Sequence, residues 1–195
     1  MAASGGTLSN LNALIAARHN SGLGSDPDSV LLVSEDAHSS FIKCTRIMGL
    51  DEENLIRIKT DNNGCMDIQN LIKTIDKCFI DNKKIFAIVA TLGTTVRGAI
   101  DPIKDISEIC KERNIWLHID GSIGGIFAVT SIPIEGLNKI NQANSITINP
   151  QKIIGITKTS SLLLVSEMST LENTFSTGLP YLSTKEDTLN RGEIG

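Results

Sequence analysis

Short apolar runs alternate with helical periods along most of this chain. Residues 30–34, 85–91, 115–120, 145–149 and 161–165 are rich in Val, Ile and Leu and bounded by turn formers, so each predicts a strand. Leu8, Leu11, Leu14 and Ile15 recur at helical spacing, as do Ile68, Leu71, Ile72 and Ile75, and again Ile103, Ile106, Ile109 and Cys110. Each set marks the buried face of a helix. Asp101-Pro102 reads as N-cap and first residue of the third helix. Residues 23–29 and 61–64 read as loops. Strands that are apolar throughout are those covered on both faces. The pattern therefore predicts an α/β fold, a mostly parallel sheet with helices on both sides. From Glu167 onward the periodicity fades and polar residues take over, which predicts a loop or linker over 167–195 and a folded unit over 1–166.

Composition adds bounds rather than detail. The 195 residues suffice for a sizeable core, and 41% hydrophobic with 21% charged residues is ordinary for a globular chain. The net charge of −4 comes from interleaved acids and bases, so nothing suggests a nucleic-acid surface. Every apolar run is too short to span a bilayer, and the N-terminus lacks the basic-then-apolar signal pattern. The expectation is a cytoplasmic protein without membrane partners. Cys44, Cys65, Cys78 and Cys110 are scattered with no CxxC, which argues against a zinc site or a disulfide framework and for no metal.

The candidate chemistry follows from strand ends. In open α/β sheets ligands bind outside the carboxyl ends of the strands. His38, Gly93-Thr94-Thr95, Asp120 and Lys152 each lie at or just past such an end, so four loaded positions should converge on one sheet edge. An aspartate and a lysine so placed suit pyridoxal phosphate (PLP). The amine can form a Schiff base with the cofactor aldehyde, and the carboxylate can keep the pyridine nitrogen protonated so that the ring serves as an electron sink. Asp120 closes a buried strand, where a carboxylate needs a cation or several donors. Lys152 precedes the apolar pair Ile153-Ile154, and burial there would favour a neutral, nucleophilic amine. A surface lysine in a loop is the plainer reading, and Lys158 is a rival.

The remaining positions read less sharply. Small residues in Ala3-Ser4-Gly5-Gly6-Thr7 lead into the first helix, whose unpaired N–H groups and positive dipole end suit a phosphate; an ordinary N-cap with a flexible glycine pair is the alternative. The His38 imidazole suits ring stacking or proton transfer, though a histidine after a strand is commonly a loop residue. His118 shares the strand face of Asp120 and reads as a hydrogen-bonded core histidine. His19, near the end of the first helix, reads as a favourable C-terminal cation.

Taken in order, Ser4-Gly5-Gly6-Thr7, Ala37-His38-Ser39-Ser40, Ala90-Thr91-Leu92-Gly93-Thr94-Thr95, His118-Ile119-Asp120 and Asn149-Pro150-Gln151-Lys152 resemble the PLP-dependent group II amino acid decarboxylases. The resemblance implies the PLP transferase type I (aspartate-aminotransferase-like) large domain. It also implies roles. Lys152 looks like the Schiff-base lysine, Asp120 like the partner of the pyridine nitrogen, and His38 like the stacked catalytic histidine. Thr95 resembles a cofactor-contacting threonine, Ala3 and Ser4 the phosphate turn, and Asn149 a further phosphate contact. Many relatives have histidine where this chain has Gln151, an uncharged donor. Many have two alanines where it has Gly121-Ser122, and Ser122 adds a hydroxyl beneath the ring.

Full members of the family are longer, with an N-terminal segment that helps form a homodimer and a C-terminal small domain. The chain thus reads as a central portion of such an enzyme. The expected function is PLP-dependent decarboxylation of an amino acid. An inactive or partner-dependent portion, or a PLP enzyme of another reaction type such as decarboxylation-dependent deamination or carbon–sulfur cleavage, remains the alternative. No residue identifies the substrate side chain.

Overall fold

The computed structural model describes residues 1–134, 136–157 and 160–176. In chain order the elements are β1 (Ala2–Ala3), α1 (Gly6–Asn20), β2 (Ser29–Ser34), α2 (Ser40–Ile47), β3 (Leu55–Ile58), α3 (Ile68–Ile80), β4 (Lys84–Thr91), α4 (Ile103–Arg113), β5 (Trp116–Gly121), β6 (Ser145–Ile148), α5 (Pro150–Ile153), β7 (Ser161–Val165) and α6 (Ser169–Phe175). Among the described residues the strands form one sheet in the order β1-β7-β6-β5-β4-β2-β3. The pairs from β3 through β6 are parallel, and β7 pairs antiparallel with both β6 and β1. This is the predicted α/β class, with an antiparallel margin that the apolar runs alone did not announce.

Alternation along the strands divides the core. Leu32 of β2, Ile88 and Ala90 of β4, Leu117 and Ile119 of β5, and Ile146 and Ile148 of β6 face a cluster with Leu71, Ile75, Ile103 and Ile106 from α3 and α4. Leu31, Val33, Ala87 and Val89 face the opposite cluster with Leu11, Leu14, Phe41 and Cys44 from α1 and α2. Burying a Leu or Ile side chain contributes about 1.5–3 kcal/mol, so these few contacts suffice to fix α3 and α4 against the sheet. Arg18 clamps the second side. Its guanidinium donates to Ser29 Oγ (2.9 Å), Met48 O (2.9 Å) and Asp26 O (2.7 Å), tying the end of α1 to the start of β2 and the end of α2.

Four readings change. Residues 169–175, inside the stretch expected to be loop, form α6, because Leu171 is buried with Leu163, Ala13 and Ala16. The rest of that stretch, from 177, lies outside the described residues. Asp101 is not the N-cap of α4; Pro102 holds that place, and the Asp101 carboxylate instead accepts from Met66 N and Thr91 N, both at 2.7 Å. Leu8, expected on the buried face of α1, is 41% exposed. The buried residues of α1 include Ser9 and Asn10 instead. Finally, α2 and β3 were not anticipated, since both are short and carry interspersed charge.

Candidate active site

Every strand end named from the sequence opens onto one cleft of about 530 Å³. His38 follows β2, Gly93 and Thr95 follow β4, Asp120 ends β5, and Asn149, Gln151 and Lys152 follow β6. Ser4 and the start of α1 complete the wall together with Ser122. Ala3 does not line the cleft; it sits on β1, paired with Ser161. Thr94 also stays out of it, because its Oγ1 accepts from Ala99 N (3.0 Å) and closes the turn after β4. Lys158 lies outside the described residues.

The helix α1 begins without a side-chain cap at Gly5. Its first intrahelical bond is Ser9 N to Gly5 O (3.0 Å), so the preceding N–H groups have no partner within the helix and face a potential anion. Gly6 permits this approach. A Cβ there would lie 2.6 Å from the Asn149 side-chain amide and 2.8 Å from Ser122 Oγ. Asn149 itself is anchored: its amide donates to Ser161 Oγ and to Ile148 O (3.3 Å) while its oxygen accepts from Gly6 N (3.3 Å). It joins the ends of β6 and β7 to α1, a role that the expected phosphate contact did not foresee. The Gln151 Oε1 accepts from Ser160 N (2.9 Å), which fixes the amide NH2 as its donor end.

Asp120 is 5% exposed. Its Oδ2 accepts from Asn10 Nδ2 and its Oδ1 from Ser122 N, both at 3.1 Å. His118 lies two residues earlier on the same face, fully buried. Its Nδ1 meets Ser145 Oγ (2.8 Å) and its Nε2 meets Asn10 Oδ1 (3.1 Å). Burial, working against the pull of the Asp120 carboxylate, pushes the His118 imidazole down to about 4. It is the hydrogen-bonded core histidine expected from its strand position. His38 is exposed in the cleft wall. Its Nδ1 accepts from Ser40 N (3.1 Å), so in the neutral ring the proton sits on Nε2.

Lys152 departs from expectation: it is exposed. The described residues leave its amine at the rim of the open cleft, and the apolar pair that was to cover it, Ile153 and Ile154, is itself exposed at 48% and 57%.

The lining residues that went unpredicted include Asn10, Ser40 and Thr91. Ser40 Oγ and Thr91 Oγ1 are buried without a hydrogen-bond partner. An unmet buried hydroxyl costs about 1–3 kcal/mol, and two in one cleft mark a polar ligand. Their signal was latent in the motifs, since Thr91 precedes the Gly93 turn and pairs in register with Asp120. The donor set fits PLP: the Thr7 and Leu8 N–H groups, without a partner in the helix, for a phosphate, a buried carboxylate for a protonated ring nitrogen, unmet hydroxyls, and an amine at the rim.

Comparison with known proteins agrees. The model for the "Pyridoxal-dependent decarboxylase conserved domain" matches residues 1–191. The chain belongs to the pyridoxal-dependent decarboxylase family. PLP is the cofactor of this family, whose members are amino acid carboxy-lyases. The chain is 34% identical over 174 residues to the acidic amino acid decarboxylase GADL1 of Xenopus tropicalis, a match covering 86% of this chain and 34% of the relative. Among solved structures it resembles mouse CSAD, with a TM-score of 0.89 and 26% identity, covering 100% of this chain and 42% of that one. It is similar in fold to Oryza sativa TDC with PLP and tryptamine, with a TM-score of 0.89 and 22% identity, covering 100% and 43%. The chain thus spans about a third of the length of the curated relatives. The mostly parallel sheet with helices on both faces is the large-domain fold of the PLP transferase type I class.

Proposed function

We propose that this chain carries the cofactor-holding part of an amino acid decarboxylase. The observation that carries the reading is the buried Asp120 carboxylate, held by two donors on the wall of the cleft that Lys152 also lines. When bound, PLP supplies an electron sink for the charge left behind as carbon dioxide departs. Lys152 is the amine that would hold the cofactor aldehyde, and the first N–H groups of α1 with Ser4 would hold its phosphate. Asp120 would keep a proton on the ring nitrogen. Thr95, Ser122 and Gln151 offer further polar contacts from the wall, and Asn149 braces the helix start that faces the phosphate. His38, with its Nδ1 engaged by Ser40 N, has Nε2 as the atom at which to give or take a proton in the cleft.

The relatives' name makes acidic amino acids the first substrate class to test. Homodimerisation of the full-length form and a cytoplasmic location belong to the same proposal and rest on the family resemblance.

The test is borohydride reduction after incubation with PLP, followed by peptide mapping. A pyridoxyl adduct on Lys152 that disappears in Lys152→Ala is the expected result. A folded chain with no adduct, or with the adduct elsewhere, would overturn the assignment. With the adduct in hand, product analysis separates loss of carbon dioxide alone from decarboxylation-dependent deamination or carbon–sulfur cleavage. Asp120→Ala should then abolish turnover.

A further inference from the structure

The Asp120 carboxylate stands at the end of a buried chain of side chains that begins at Trp116. Trp116 Nε1 lies 2.8 Å from Ser145 Oγ, which lies 2.8 Å from His118 Nδ1. His118 Nε2 is 3.1 Å from Asn10 Oδ1, and Asn10 Nδ2 is 3.1 Å from Asp120 Oδ2. Both ends of this chain are chemically fixed. An indole N–H only donates, and an ionised carboxylate only accepts. The Asn10 amide must therefore present its NH2 to Asp120 and its oxygen to His118. His118 must then donate from Nε2, and in the neutral ring that burial favours Nδ1 is the acceptor. Ser145 supplies that hydrogen bond with its O–H while its lone pair takes the indole proton. With the ring neutral, every donor in the chain points toward Asp120.

We propose that Asn10 and His118 are positioning residues that fix the plane of the Asp120 carboxylate and keep its negative charge uncompensated by a buried imidazolium. The consequence concerns the cofactor. A charged His118 beside Asp120 would neutralise the carboxylate locally and weaken its hold on a protonated ring nitrogen. The relay delivers a dipole instead of a charge. With Oδ1 on Ser122 N and Oδ2 on Asn10 Nδ2, the carboxylate cannot rotate away from the cleft without losing both donors. The geometry also explains why α1 buries an asparagine in its first turns, where a leucine would pack better.

This role rests on the proposed cofactor site, but the relay can be tested apart from it. Nitrogen-15 spectra of the histidine-labelled chain should show His118 neutral, protonated on Nε2 and accepting at Nδ1. The Asn10 side-chain amide should be protected from exchange and should lose that protection in Asp120→Ala. A proton on Nδ1, or an unprotected amide, would overturn the relay whether or not the chain binds cofactor. The functional arm compares His118→Leu with His118→Gln. The glutamine oxygen can accept from Ser145 while its NH2 donates to Asn10, so the relay survives. The leucine variant should lose about tenfold or more in PLP affinity and shift the absorption band of the bound cofactor, as buried supporting partners of other sites do. The glutamine variant should restore both. Equal binding and equal spectra in the leucine variant, with the fold intact by circular dichroism, would refute the positioning role. Failure of the wild-type chain to take up PLP would instead refute the functional reading, and the relay would be judged on the nitrogen spectra and the amide exchange.

Discussion

Asp101 and His118 are both buried, at 1% and 0% exposure, and folding moves their proton affinities in opposite directions. Burial pushes the Asp101 carboxyl up to about 6, against the two backbone N–H groups that favour its ionised form. The folded state therefore keeps a proton that the unfolded chain has already released. Asp101 contributes stability at low pH that is lost as pH rises toward the folded-state value. His118 does the reverse. Burial pushes it down to about 4, so the folded state refuses a proton that the unfolded chain accepts below about 6.5. Its contribution is fully present at neutral pH and is lost as pH falls through that window. Each tenfold change in proton affinity corresponds to ~1.4 kcal/mol. Integrated from about pH 4.5 to about pH 6.5, each group contributes a change of about 2 kcal/mol, with opposite sign. The two slopes oppose one another.

Wild-type stability should therefore respond less to pH across that window than either single variant, because the two groups pull in opposite directions and each substitution unmasks the other. In Asp101→Asn the remaining His118 slope should make the protein more stable as pH rises. In His118→Gln the remaining Asp101 slope should make it less stable. Urea titrations read by the fluorescence of Trp116, the single tryptophan, provide the assay. For a urea dependence of about 2 kcal/mol per molar, 2 kcal/mol moves the midpoint by about 1 M. Other carboxylates such as the exposed Glu35 and the half-buried Asp26, held low by their hydrogen bonds to Thr60 and Lys84, are common to all three proteins and drop out of the comparison. Asp101→Asn will start from lower stability, because its NH2 must face one of the two N–H groups of Met66 and Thr91. That offset is independent of pH and leaves the slope readable. Parallel midpoint curves for the three proteins would refute the argument.

Two close-packed glycines give further tests. A Cβ at Gly121 would meet Thr147 O at 2.9 Å, Gly125 Cα at 3.0 Å and Ile146 Cδ1 at 3.1 Å. Gly121→Ala should thus destabilise by about 1–3 kcal/mol, read as a lower urea midpoint, and a wild-type midpoint would show that the sheet edge yields freely. Gly6→Ala places a methyl 2.6 Å from the Asn149 amide and 2.8 Å from Ser122 Oγ, so PLP affinity in a fluorescence titration and the melting temperature should both fall; unchanged affinity would remove Gly6 from the cofactor wall.

What could be read in advance was set by rules of topology. The carboxyl ends of β2, β4, β5 and β6 lie at one edge whatever packs beneath them. His38, Thr95, Asp120 and Lys152 therefore converged as expected, and the strand register aligns Thr91 with Asp120. Side-chain exposure was not legible in the same way. The two isoleucines after Lys152 suggested a covered amine, yet they close a four-residue helix at the cleft rim and remain exposed. Likewise Asp101-Pro102 has the form of a helix start, but the acid is drawn to two backbone donors from a distant loop and strand. Local chemistry offered a cap; tertiary structure offered better partners.

The α1 helix shows why the rest stayed hidden. Its leucines at helical spacing predicted an apolar face, and Leu11 and Leu14 do fill one core cluster. The helix also lies across β5 and β6, where Ser145, Thr147, His118 and Asp120 point toward it. There it presents Ser9, bonded to Thr147 (2.9 Å), and Asn10, bonded to both His118 and Asp120. A hydrophobic pattern cannot register the helix side of such a seam, because Ser9 and Asn10 look like surface. It becomes visible only with the register that sets His118 beside Ser145 and with the placement of α1 above both. A buried serine–asparagine pair sacrifices apolar contact that leucines would supply. The local rule therefore fails where the carboxylate must be held, and the failure of the pattern is itself the mark of the site.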